Sequence, residues 1–98
     1  MKAKIWHDRW WVTETDPKRL KNIYEKHLKQ SGFTVVGFID NHFTPQGYSA
    51  VFLLAESHLA IHTFPEENKT YIELSSCTEE FFDKFIGSQN FDPDAPKS

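Results

Sequence analysis

Two seven-residue segments, His58–Phe64 and Tyr71–Cys77, alternate in side-chain character on either side of the polar stretch Glu66-Glu67-Asn68-Lys69. Successive side chains of a strand point to opposite faces, so this pattern specifies a hairpin with one apolar and one polar face. If Leu59 and Ile61 share a core face with Ile72 and Leu74, antiparallel pairing sets His58 and His62 beside Glu73, Ser75 and Cys77 on the other. A slip of one residue would turn one strand over, and the sequence alone does not fix the register. Ser57 has the parity of Leu59, so a bend or bulge before His58 is expected to bring its hydroxyl round to the polar face.

The rest of the chain supplies partners for that hairpin. Ser49–Ala55 is nearly all apolar and reads as a central strand, or one buried on both faces. Phe33–Phe43 reads as a strand leading into a turn at Pro45-Gln46-Gly47, and Ile5–Glu14 as a first strand with Trp6, Trp10 and Val12 on one parity. Asp16 and Pro17 form a helix start, Leu20, Ile23, Tyr24, His27 and Leu28 make an apolar stripe, and Ser31-Gly32 closes that helix. A second, short helix begins at Thr78-Glu79-Glu80, buries Phe81, Phe82, Phe85 and Ile86, and stops at Gly87; Phe91–Ser98 reads as a loose tail. The expected fold is α+β, one domain over residues 1–98, with an antiparallel sheet and two helices packed on one face. A chain this short buries only about 60–65% of its extended surface, so the uncovered sheet face favours a homodimer.

Charge and composition narrow the partners. A net charge of −3 without any Lys/Arg run argues against nucleic acid, and no apolar run approaches the roughly 20 residues that span a bilayer. Met1-Lys2-Ala3-Lys4 leads into no signal-like segment, so a cytoplasmic protein with a small polar ligand is expected, and no membrane partner. Cys77, the one cysteine, has no internal disulfide partner; burial as a small inert hydrophobe is the commoner fate of such a residue, a reactive thiol the other.

The chemistry concentrates between Glu56 and Glu66, where two acids, Ser57, His58 and His62 fall within eleven residues. His62 follows Ser57 closely enough in sequence to serve it. A wet sheet face carrying two histidines explains the same residues without chemistry. His58, His62, Glu73 and Cys77 are acceptable zinc donors, but residues four apart on a strand lie about 13 Å apart, too far to chelate one ion, and no metal is expected. A Ser-His-acid hydrolase lacks its Gly-x-Ser-x-Gly elbow here.

Three blocks taken together resemble the prokaryotic S-adenosylmethionine decarboxylase proenzyme family. They are His42-Phe43-Thr44-Pro45-Gln46-Gly47-Tyr48-Ser49, the run Ala55 to Glu66, and Cys77 twenty residues beyond Ser57. The resemblance implies self-cleavage of the Glu56–Ser57 bond into chains 1–56 and 57–98, with Ser57 converted to a pyruvoyl group. It makes His62 the base in processing and Ser49 a hydroxyl that assists it. The pyruvoyl carbonyl would hold S-adenosylmethionine as a Schiff base, with Cys77 returning the proton after decarboxylation toward spermidine synthesis. Phe43 and Phe64 would flank the adenine and Glu66 would bind the ribose hydroxyls. The chain departs from the family where Phe64 replaces a usual Trp, Glu73 a usual Asp and Thr78 a usual Gly, and at Trp6-His7-Asp8-Arg9-Trp10. Two alternatives stay open: a pyruvoyl-dependent decarboxylase of arginine or ornithine, and an uncleaved, non-catalytic nucleoside-binding or regulatory homologue.

Overall fold

Asp16 starts the first helix as expected, its extended backbone letting the carboxylate accept from Arg19 N–H at 2.9 Å, with Pro17 as the first helical residue. In the computed structural model, which describes residues 3–89, this helix, α1, spans Pro17–Gln30 and follows strand β1, Trp6–Val12. The chain continues through β2 (Val35–His42), β3 (Tyr48–Leu54), β4 (Ser57–Phe64), a 3-10 turn at Pro65–Glu67, β5 (Lys69–Ser76) and α2 (Glu79–Gly87). The expected tail at Phe91–Ser98 lies outside the described residues.

All five strands form one antiparallel sheet in the order β1-β5-β4-β3-β2. Both helices pack on one face, where Leu20, Tyr24 and Leu28 of α1 and Phe85 of α2 are buried with Phe52, Leu59, Ile61, Ile72 and Leu74 of the strands. Phe85 is the hub, with its ring 6.0 Å from Trp10, 6.4 Å from Tyr24 and 6.5 Å from Phe33 between centroids. α1 ends where Gly32 turns at φ +104, and a side chain there would meet the Phe81 ring at 2.8 Å. Only glycine allows that helix to stop and α2 to pack over the stop.

The hairpin register is the one that keeps Leu59 opposite Leu74 and Ile61 opposite Ile72 on the core face. His58 then faces Ser75, Ala60 faces Glu73 and His62 faces Tyr71 on the open face. β3 is interior to the sheet, as its apolar run suggested, but it is buried on one face only. Tyr48, Ala50, Phe52 and Leu54 are buried while Leu53 is 54% exposed, because no element among the described residues covers the second face. Ile39 of β2, 72% exposed, lies on that same uncovered side.

Candidate active site

A two-residue turn, Ala55-Glu56, joins β3 to β4, with Leu54 paired to Ser57 across it. Glu56 has φ +62, a left-handed conformation that costs a non-glycine residue about 1–2 kcal/mol. The strain sits at the residue whose carbonyl precedes Ser57. The bend therefore falls before Ser57 and not between Ser57 and His58. Pairing runs unbroken from Leu54–Ser57 to Tyr48–Thr63, so Ser57 keeps the parity of Leu59 and stays on the helix side, buried. The expectation that a bulge would carry it to the polar face is corrected by that continuous register.

Ser57 Oγ donates to Ser76 Oγ at 3.2 Å and accepts from the Cys77 backbone N–H at 3.4 Å. Ser76, fully buried, donates to Thr78 O and accepts from Thr78 N–H, both at 3.0 Å. The Cys77 side chain is exposed, the less common of the two fates open to a lone cysteine, because β5 ends at Ser76 and the chain turns toward α2. A cleft of about 160 Å³ is lined by Ile5, Glu56, Ser57, His58, Ser75, Ser76 and Cys77. Larger clefts lie along α1 and between α1 and β2, away from these groups.

A second cluster occupies the opposite end of β4. Ser49 lies directly across from His62, and Ser49 Oγ is 2.9 Å from His62 Nδ1. The His62 ring stacks on Tyr71, 6.2 Å between centroids at 26°, and Tyr71 donates to Glu73 Oε2 at 2.9 Å. Glu73 Oε1 is in turn 3.5 Å from His7 Nε2. The Tyr71 hydrogen bond holds the Glu73 carboxyl below its ordinary range, assisted by His7 and opposed by partial burial. Burial, followed by that same carboxylate, pushes the Tyr71 phenol up. Trp11 packs against both Phe64 and Tyr71, at 5.8 and 5.4 Å, and Lys69 lies 4.4 Å over its ring. Phe43 is half exposed in the β2–β3 loop, and Gln46 of that loop donates to Glu66 at 3.2 Å. Phe43, Phe64 and Glu66 thus gather at the His62 end.

Within one chain, Ser57 and His62 do not meet. Five residues of strand separate them by about 17 Å, and they face opposite sides of the sheet. Closeness in sequence misleads here, because a strand carries each residue on by more than 3 Å. The structure joins Glu56, Ser57 and Cys77 at one end, and Ser49, His62, Phe43, Phe64 and Glu66 at the other. Sequence reading did not single out Ser76, Tyr71 or Trp11. Ser76 was reachable from its shared parity with Ser57 across β4 and β5, whereas Trp11 depends on the pairing of β1 with β5, which no local pattern encodes. Among the described residues, no group of three or more His, Cys, Asp or Glu is placed to hold a metal ion, and no helix is long and apolar enough to cross a membrane.

A helix-backed antiparallel sheet, with a left-handed turn leading into a buried serine hydrogen-bonded beside a cysteine, defines a small α+β protein built around one strained peptide junction. The chain belongs to the S-adenosylmethionine decarboxylase family, whose model matches residues 12–87. It is 44% identical over 62 residues to an S-adenosylmethionine decarboxylase proenzyme of Symbiobacterium thermophilum, covering 63% of this chain and 47% of that protein. It is 40% identical over 73 residues to the one of Thermotoga maritima, covering 68% and 56%. The chain spans about half the length of the curated relatives it matches. The crystal structure of the adenosylmethionine decarboxylase from Aquifex aeolicus VF5 superposes with a TM-score of 0.70 over all of this chain and 89% of that one, at 22% identity, and shows the same fold.

Proposed function

We propose that the chain is a self-processing, pyruvoyl-dependent decarboxylase of S-adenosylmethionine, cut between Glu56 and Ser57 into residues 1–56 and 57–98. The observation that carries this reading is the Ser57 hydroxyl, buried beside the Cys77 backbone immediately after a left-handed Glu56, in a chain of this family. Strain at Glu56 favours attack on its carbonyl, which exchanges the amide for an ester with a better leaving group. His62, with Ser49 on its Nδ1, is the base that would remove the Ser57 α-hydrogen and release residues 1–56 by elimination.

The small cleft beside Ser57, about 160 Å³ and lined by Ser75, Ser76 and Cys77, fits the group that this processing would leave, which carries its carbonyl oxygen in place of the Ser57 nitrogen while Oγ departs with residues 1–56. A pyruvoyl group supplies an electron sink for the carbon that loses carbon dioxide. Beside it, the exposed Cys77 thiol would return a proton, and at the His62 end Phe43 and Phe64 offer flat faces to an adenine. Glu66 offers a carboxylate to ribose hydroxyls. A cytoplasmic setting, which keeps a thiol such as Cys77 reduced, goes with this reading.

The separation of the two clusters supports a homodimer. Two copies with their open faces together and β4 strands antiparallel bring the Ser57 end of one to the His62 end of the other, and exposed Ile39 and Leu53 supply apolar contact. Mass spectrometry of the purified chain tests the reading, with two fragments divided at Glu56/Ser57 expected and Ser57→Ala remaining whole. A wild-type chain that stays intact would sink it. Carbon dioxide release from S-adenosylmethionine, set beside arginine and ornithine, tests the substrate, and Cys77→Ala should cleave normally yet lose turnover.

A further inference from the structure

The Ser57 hydroxyl has one proton and two lone pairs to place, and its surroundings settle where they go. Ser76 Oγ is the neighbour that decides this. Its own proton is committed to Thr78 O and one lone pair to Thr78 N–H, both at 3.0 Å. What remains is a single lone pair, so Ser76 can only accept from Ser57, at 3.2 Å. Cys77 N–H occupies one Ser57 lone pair at 3.4 Å. The other remains for the electrophile, the carbonyl carbon of Glu56, the residue immediately before Ser57 in sequence. The backbone of Thr78 thus sets the direction of the whole chain of hydroxyls, in a position where Ser76 has no access to water.

We propose that Ser76 is a catalytic residue of the self-cleavage step, the acceptor that orients the Ser57 hydroxyl for attack on Glu56. The inference rests on the self-processing reading given above. In the step, a bond forms between Ser57 Oγ and the Glu56 carbonyl carbon, and the bond from that carbon to the Ser57 nitrogen breaks. The Oγ proton ends on the released amine. Ser76 holds that proton by a hydrogen bond at the start and keeps its own proton throughout, so its protonation state is unchanged at the end.

Ser76→Thr keeps the hydroxyl, while Ser76→Val has the shape of that threonine without it. Cleavage followed by mass spectrometry should proceed in Ser76→Thr within about threefold of wild type and be slowed about 10- to 100-fold in Ser76→Val, the loss typical of a misdirected nucleophile. Ser76→Ala, smaller than either, should be as slow as Ser76→Val and serves if the bulkier variant does not fold. Hydroxylamine, which cuts the ester but not the amide, isolates the attack itself. It should split His62→Ala readily and the His62→Ala/Ser76→Val double variant slowly, a contrast that altered packing around the later elimination would not produce. Equal rates for Ser76→Thr and Ser76→Val overturn the role of Ser76 while leaving self-processing intact, and so does a Ser76→Thr variant as slow as Ser76→Val. A wild-type chain that never cleaves overturns the underlying reading and this one with it.

Discussion

His62 is fixed by residues from two other strands. Ser49 on β3 binds its Nδ1, and Tyr71 on β5 lies under its ring, itself tied to Glu73 and through Glu73 to His7 on β1. The Glu73 carboxyl is depressed chiefly by the Tyr71 hydrogen bond. A depressed carboxyl contributes stability that is present above its unfolded value of 4.5 and is lost as pH falls through the lower folded value. Glu73→Gln, compared in the uncleaved Ser57→Ala background, should therefore melt below its parent at pH 7, and the gap should close as the pH is taken down past 4.5. Glu73 is about one-third exposed, so the gap is modest and shrinks in salt. A gap of constant size across that range would remove the Tyr71–Glu73 bond from the account of how His62 is held. The sequence marked His62 and Glu73 as neighbours on one face, but the tyrosine between them needed the register, because it is the residue directly opposite His62.

At the scale of elements, β4 carries two functions on alternate residues. Leu59 is fully buried against Leu74 and the helices, and His58 beside it is exposed on the other face. Leu59→Ala should cost about 2–5 kcal/mol of stability by denaturant titration, through lost burial and the cavity left behind. His58→Ala should change it by no more than about 0.5 kcal/mol. Similar costs for the two would contradict the register. Elements were legible because alternation, the Asp16-Pro17 start and the Gly32 stop are local signals that act within a few residues. The path of Ser57 was not. The left-handed residue falls on a glutamate, which carries no sequence mark for that conformation, so the bend could be anticipated but not placed on one side of Ser57. Which of its two fates Cys77 meets was open for a related reason, since its exposure follows from where β5 stops and α2 begins.

For the whole molecule, the decisive feature is that, among the described residues, one sheet face has helices and the other has none. The uncovered face holds His62, Tyr71 and Glu73 together with exposed Leu53 and Ile39, so the homodimer reading and the site reading are one hypothesis. Co-expression tests it. A Ser57→Ala chain mixed with a His62→Ala chain should restore cleavage of the His62→Ala chain, because the Ser57 end of its β4 would lie against the His62 end of the other copy. No cleavage in the mixture, or a strictly monomeric species by sedimentation at micromolar concentration, would show that each chain works alone. By itself the sequence determined the strands and the helix boundaries, and proposed which residues carry chemistry, since these follow from alternation, capping and residue type. Only the tertiary structure decided which of those residues meet. A strand moves each successive side chain more than 3 Å and to the other face, so neighbours in sequence such as Ser57 and His62 are parted, and Ser57 and Ser76, nineteen residues apart, share a hydrogen bond.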